Sequence, residues 1–483
     1  MDITKKEIYL KQTADEKVYT QLGGYDMKVK KIMKVLLSLL AISSIVAGCG
    51  KENVTGEQVK EKIDTKVEST DEAAEVTAEI SKEMEGKIVI WDWNGDAQKT
   101  YIEKFNEEYP NITVEVQNVS WDDYMTKLQT SYVSGMELPD ILLGEIAWRG
   151  TLFDLGICEN LEQPPYNLDR NKMVKSSVPL VSDKDGNIAG VEMQVTPAGF
   201  AYKRDMAKEY LGTDDPDEVG KMIADWDSFL KVGKDVLEKS NGKVKMTASL
   251  GDVLLSSFSQ NVVSYTDGNT VDITKKMQKP LETTIAMRDA GITGNLEMYS
   301  AAWYAAYASD EYLFYEAAAW CPPYVISAND PNGSGNWAIT TPPGGSFNLG
   351  GTSLSINKDS ENKEAAWAFL QYIYFSEKGG SFMYDLTGNY SCYQPYYESE
   401  YSPFEKEGPF DAFFGGQSLV DFYINEAAPF AKTAIQTKYD AMIDQTFQKL
   451  TPVYMSDASI DASKALELFK EEITLKDTAI DVK

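Results

Sequence analysis

Trp91, Trp93, Asn94, Asp96, Glu145 and Trp148 stand at the ends of short apolar runs, and they offer indole rings, an amide and carboxylates. Flat rings cover apolar C–H surfaces, while amides and carboxylates exchange hydrogen bonds with hydroxyls or cations. Such a set holds a polar solute without breaking a bond in it. Asp92, Asn94, Asp96 and Glu103 also fall at positions 1, 3, 5 and 12 of a calcium loop. Position 6 is Ala97 where glycine is required, and a strand-like run precedes the loop, so no metal site is expected there. The chain has no histidine. Ser-His-Asp and Cys-His nucleophile systems, and zinc sites that need imidazole, are thereby removed. Carboxylate-only chemistry of the glycosidase kind stays open, although no motif announces its paired acids. No glycine-rich phosphate loop is present, and no cofactor is expected.

The elements that must position these residues are readable in order. KIVIW is an apolar strand pattern that stops at the polar turn DWNGD. Tyr101, Ile102, Phe105 and Tyr109 then repeat at helical spacing until Pro110 and Asn111 end the run. ITVEV alternates as a strand. Ser120 can cap a second helix, with Asp123 at the capping-box distance and Tyr124, Leu128 and Tyr132 on one face. Gly135 closes that helix and Pro139 leads into the strand DILLG. Strand, helix, strand, helix, strand predicts a parallel sheet, whose ligands sit beyond the carboxyl ends of the strands. Within this frame Trp91 lies inside a strand run and is expected in the core. Asp96 has a second use as a helix cap, and Trp148 has one in packing beneath Phe153. Trp93 stands in a turn, where packing gains little. Glu145 ends an apolar strand, and its carboxylate needs a partner there.

Bulk properties bound the rest. The length predicts two lobes rather than one core. Hydrophobic content of 43% and charged content of 25% are those of a globular protein. A net charge of −29 argues against nucleic acid and anionic membrane surfaces as partners. It also disfavours an anionic ligand and leaves a cationic solute, such as a polyamine, in view. Cys158, Cys321 and Cys392 are widely spaced and allow at most one disulfide, with no pair preferred. Residues 1–26 show no periodicity and read as an upstream extension. From Met27, the lysines 28, 30, 31 and 34 precede an apolar run from Val35 to Val46, which is secretory-signal anatomy too short to span a membrane. Val46-Ala47-Gly48-Cys49 resembles a bacterial lipobox, with Val46 where leucine is usual. That resemblance implies cleavage before Cys49 and diacylglycerol on its thiol, a two-chain anchor sufficient for stable attachment. Residues 50–85 are rich in Glu, Lys and Thr and lack aromatics, so they are expected to form a flexible tether reaching roughly 30 Å.

Further along, Asp185-Gly186 predicts a hairpin turn, FAYKRDMAKEYLG a strand running into a helix, and Asp225 a cap for FLKVGKDVLEK. GKVKMTASLGDVLLSSF and AAWYAAYASDEYLFYEAAAW read as helical, the latter with Trp303, Tyr304 and Tyr307 in the core. GGTSLSIN ends in a strand, and a helix is expected from Ser360 to Gly379. Tyr396-Tyr397 resembles a ferric-iron tyrosine pair, but it lies in an acidic loop without histidine and carries no metal expectation. No repeat at solenoid spacing is present.

In order and spacing, several segments together resemble extracellular solute-binding proteins of family 1, the carbohydrate-binding lipoproteins of ABC importers. These are KIVIWDWNGD, WDDYMTKLQTSYVSGMELPDIL, GVEMQVTPAGFAYKRD, WDSFLKVGKDV, AAAWCPPYVI and GGTSLSINKDSENKEAAWAFLQYI, with a weaker FFGGQ at 413–417. The resemblance implies an α/β, two-lobed, periplasmic-binding-protein-like (type II) fold with an interlobe cleft, following a signal peptide and tether. The first lobe would comprise 86–195 and 346–392, and the second 196–345 and 393–483. It implies a monomeric receptor on the outer face of the bacterial membrane, held by lipid alone. Such a receptor closes on a sugar or oligosaccharide, hands it to permease subunits, and performs no catalysis. It also places ligand contacts at Trp93, Asn94 and Asp96, at Glu145 and Trp148, and at Thr196 and Trp320. Gly350, Gly351 and Thr352 would let backbone approach the ligand, with Tyr324 a further candidate. Sugars suit these residues, because a pyranose has an apolar face for a ring and hydroxyls that each need a buried partner. A polyamine- or peptide-binding protein, or a carboxylate glycosidase, remains the alternative.

Overall fold

The computed structural model describes residues 80–483, apart from the side chains of Asp96 and Ala97. The signal segment, Cys49 and all but the end of the tether lie outside the described residues. The chain opens with β1 (Gly86–Asp92), α1 (Gly95–Glu108), β2 (Ile112–Asn118), α2 (Trp121–Val133) and β3 (Ile141–Glu145). β1 pairs in parallel with both β2 and β3. Ser120 caps α2 reciprocally, accepting from the Asp123 amide and donating to its carboxylate. α3 (Arg149–Asp154) and β4 (Val191–Glu192) follow, and the chain then leaves this sheet.

β5 (Pro197–Lys203) is the centre of a second sheet, and α4 (Trp226–Lys239), α5 (Leu250–Gln260), α6 (Ile273–Asp289) and α7 (Ala301–Ala306) come after it. β6 (Phe314–Ala318), β7 (Trp337–Thr340) and β8 (Phe347–Asn348) each pair antiparallel with β5. β9 (Thr352–Ile356) then returns to the first sheet, lying antiparallel between β3 and β4 to give the order β2-β1-β3-β9-β4. The fold is therefore α/β and two-lobed, with one sheet at the centre of each lobe. Gly144 is needed where β9 crosses β3, since a Cβ there would lie 2.5 Å from Ser353 Oγ. α8 (Lys363–Tyr374) and α9 (Glu377–Thr387) follow β9, and α10 (Asp440–Ser456) and α11 (Ala462–Lys476) pack on α6 around a separate apolar core.

Three local expectations are corrected. The stretch 301–320 is helical only to Ala306, and its second half is β6, buried along its whole length. A strand covered on both faces shows no alternation, so it reads like a buried helix. Residues 243–249 are likewise not helical, and α5 begins after Ser249, which closes a capping box with Asp252. The helix expected from Ser360 to Gly379 is two helices: Asn362 stands at the first N-cap, Ser376 caps the second, and Gly379 lies inside α9. Ser360 instead donates to Asp140 Oδ1 at 2.5 Å. Trp91 is buried, with its indole N–H on Gln117 and Lys127 Nζ 3.7 Å from the ring centre. Trp303, Tyr307, Tyr396 and Tyr397 are buried, and Cys158, Cys321 and Cys392 are buried free thiols.

Candidate functional site

The carboxyl ends of β1 and β3 carry a contiguous rim. Trp93 leaves β1 half-buried and sets its ring edge-on against Tyr124 (5.4 Å between centroids) and Trp148 (5.6 Å). Trp148 N–H donates to the Glu145 carbonyl at 3.0 Å, closing the turn after β3. Glu145 faces Thr352 across the β3–β9 ladder, and the next amide, Ile146, donates to the Gly351 carbonyl. Gly350 lies against Trp320, whose indole Nε1 donates to the Leu349 carbonyl at 2.9 Å. The sequence of contacts Trp93, Trp148, Glu145, Gly351, Gly350, Trp320 thus crosses from one sheet to the other. Gly350 and Gly351 take φ of 74° and 109°, a backbone region that favours glycine.

Not every candidate presents a side chain to this rim. Trp148 is 7% exposed, stacks on Tyr124, and donates its indole N–H to the Leu143 carbonyl at 3.4 Å, so it forms the floor. Thr196 is buried and donates to the Gly350 carbonyl, which makes it a strut behind the glycines. Asn94 is exposed at the start of α1, and Tyr324 is exposed one turn after Trp320. The Asp96 side chain is outside the described residues. A surface groove of about 520 Å³ also reaches Trp93 and Asn94, but its other walls are Gly95, Lys99, Ile102, Glu103, Val114, Val116 and Asn118. All of these belong to one edge of the first sheet, so it is not the space between the sheets.

Two residues outside the sequence-based set bear on the rim through their charges. Asp444 on α10 is close enough to Glu145 to repel its negative charge. Tyr299, just ahead of α7, feels both Asp444 and Glu316. Tyr299 is 44% exposed, yet the surrounding protein pushes its phenol well above the ordinary tyrosine value. Behind it, buried Glu316 accepts from Ser256, and buried Asp252 accepts from the Trp303 indole.

The family model described as bacterial extracellular solute-binding protein matches residues 100–399. The chain belongs to this family. An arabinooligosaccharide-binding protein of Bacillus subtilis (strain 168) is 26% identical over 375 residues, covering 73% of this chain and 78% of that protein. A lactose-binding protein of Rhizobium radiobacter is 25% identical over 378 residues, covering 69% and 80%. A crystal structure of an extracellular solute-binding protein of family 1 superposes with a TM-score of 0.70 at 18% identity, covering 81% of this chain and all of that one. Family members are binding proteins, and membership places the working chain outside the cytoplasm.

Arg149 holds up the rim of this solute-binding protein from beneath. Its guanidinium is fully buried, donating to the Gly144 carbonyl at 2.9 Å, to the Leu180 carbonyl at 3.2 Å and to Glu192 Oε1 at 2.5 Å. Burial pushes Glu145 up to about 7 from an ordinary 4.5, opposed by the Ala147 amide and Arg149 and helped by Asp444. Asp444 is raised by burial to about 6 from 3.8. Both acids therefore hold protons in the folded chain at pH values where the unfolded chain has lost them. Stability should fall as pH rises from about 4 toward 7 and level off above. The double variant Glu145→Gln, Asp444→Asn is expected to flatten that decline in ligand-free thermal midpoints, with a residual slope from the other buried acids, Asp92, Glu192, Asp252, Glu316 and Asp440. An unaltered slope would mean that neither carboxyl is desolvated.

Proposed function

We propose that this chain is a lipid-anchored receptor that closes its two lobes on a sugar or oligosaccharide and delivers it to the permease of an ABC importer. The observation that carries the reading is the rim from Trp93 to Trp320, where Asp444 acts on both Glu145 and the Tyr299 phenol. It supplies rings for C–H faces and carboxyl, phenol and backbone groups for hydroxyls. The relatives that bind an arabinooligosaccharide and lactose support the same class of solute. We divide the lobes at 86–195 with 346–392, and 196–345 with 393–483; support comes from the sheets, whose strands segregate on these lines except that β8 pairs with β5. Cys49 is the proposed anchor, the working unit is a monomer, and the receptor turns nothing over and needs no cofactor.

Calorimetry against arabino-oligosaccharides, lactose and maltose, with product analysis of each mixture, tests this. Binding without product is expected; product release would favour a glycosidase. Tight binding of spermidine with no response to any sugar would favour the second reading, a cationic solute, which the mutual repulsion of the acids Glu145 and Asp444 supports. Trp93→Ala is expected to weaken sugar binding by about 1–3 kcal/mol through loss of an aromatic surface. Unchanged affinity would take Trp93 out of the site.

A further inference from the structure

Gly150, the second residue of α3, is buried against the backbone of Thr437, which precedes α10 and belongs to the other lobe. A Cβ at position 150 would lie 2.0 Å from the Thr437 carbonyl oxygen, 2.3 Å from its carbon and 2.7 Å from its nitrogen. Backbone cannot yield in the way that the end of a long side chain can. Here it is also fastened. The Thr437 amide donates to Asp440 Oδ2 at 2.5 Å, its hydroxyl lies 2.9 Å from the Tyr265 hydroxyl, and Tyr265 in turn donates to Asp440 Oδ1. Tyr265 is buried in the core beneath α6 and α10. Around the glycine the contact continues: Thr151 Oγ1 donates to the Lys438 carbonyl at 3.4 Å, and Lys438 Nζ lies 3.9 Å from Asp154 Oδ2.

We propose that Gly150 is the closure-setting residue of this receptor: the missing side chain lets the first turn of α3 seat on the Thr437 peptide, and any side chain there holds the lobes apart. It has no side chain to offer a solute, so it acts through the population of the closed form. When that population falls, apparent affinity falls by the same factor. The proposal rests on the reading that the lobes close on a solute, and it adds where closure is arrested.

Asp154 supplies the test, because it has a lysine on each side. Lys184, from its own lobe, lies 3.7 Å from Oδ1, and Lys438, from the other, lies 3.9 Å from Oδ2. The ligand-free full chain is treated with a zero-length carbodiimide, and both amide cross-links are followed by mass spectrometry in wild type, Gly150→Ala and Gly150→Leu. Both links are expected in wild type. In the variants the Asp154–Lys438 link should form at least about tenfold more slowly, and the Asp154–Lys184 link, which reports an intact first lobe, at the wild-type rate. A wild type that never joins Asp154 to Lys438, or variants that join them at the wild-type rate, would overturn the proposal. The wild-type arm decides even if a variant does not fold. A wild type that cross-links but binds no sugar would leave the closure contact standing and overturn the sugar reading instead.

Discussion

Arg149→Ala is expected to destabilise the folded chain by about 3–5 kcal/mol, the range for breaking a buried ion pair from one side. The guanidinium and the Glu192 carboxyl are both inaccessible, and removing the arginine leaves the acid buried with its main partner gone. The Gly144 and Leu180 carbonyls lose their donor in the same step. Equilibrium denaturation, followed by tryptophan fluorescence, gives the loss directly. Arg149→Met with Glu192→Leu should recover most of it, since an apolar pair of similar volume replaces the ions without leaving a charge unpaired. A single variant within about 1 kcal/mol of wild type would show that the pair contributes little, and the rim above it would need another support.

Trp320→Ala is expected to reduce sugar affinity by at least about 2 kcal/mol, the scale of an aromatic anchor at the centre of a contact surface. The indole does two things. Its half-buried ring offers a face at the junction of the two lobes, and its N–H holds the Leu349 carbonyl just ahead of the paired glycines. Trp320→Phe keeps a ring and loses the N–H, so calorimetry on the two variants separates the roles. Phenylalanine matching wild type would assign the effect to the ring; phenylalanine matching alanine would assign it to the strap at 349–351. If alanine itself bound sugar as tightly as wild type, Trp320 would have no place in the site.

The first sheet was legible because each of its early elements announces itself. KIVIW and ITVEV carry strand patterns, Ser120 and Asp123 form a cap, and Pro110 and Gly135 stop the helices. β6 was not legible, since FYEAA is covered on both faces and loses the alternation that marks a strand. Trp93, Glu145 and Trp320 could be picked out as residues at strand ends or at positions matching a known family, and the structure links them through Trp148 and the glycines. Tyr299 and Asp444 were missed for physical reasons. Tyr299 takes a left-handed φ of 61° just ahead of the Ser300 cap, and nothing in the local sequence announces that conformation. Asp444 lies inside an amphipathic helix whose only other acid is Asp440, where nothing local distinguishes a desolvated carboxylate from one facing water. Trp148 shows the opposite limit. The sequence offers its indole to a solute, while the fold turns the N–H inward to Leu143.

The strands that carry the chain between the two sheets do not cross singly. Leu349 donates to the Thr196 carbonyl at 3.0 Å, the Thr196 hydroxyl returns to Gly350, and β8 is laddered to β5 immediately beside them. A laced ribbon flexes across its width far more readily than its edges slide past one another, as hinge motion differs from shear. The halves should therefore swing like the covers of a book, about one axis, and return in the same alignment each time. A guest entering from the open side would meet both pages at matched height, so its contacts would form together on the final few degrees of swing rather than one after another.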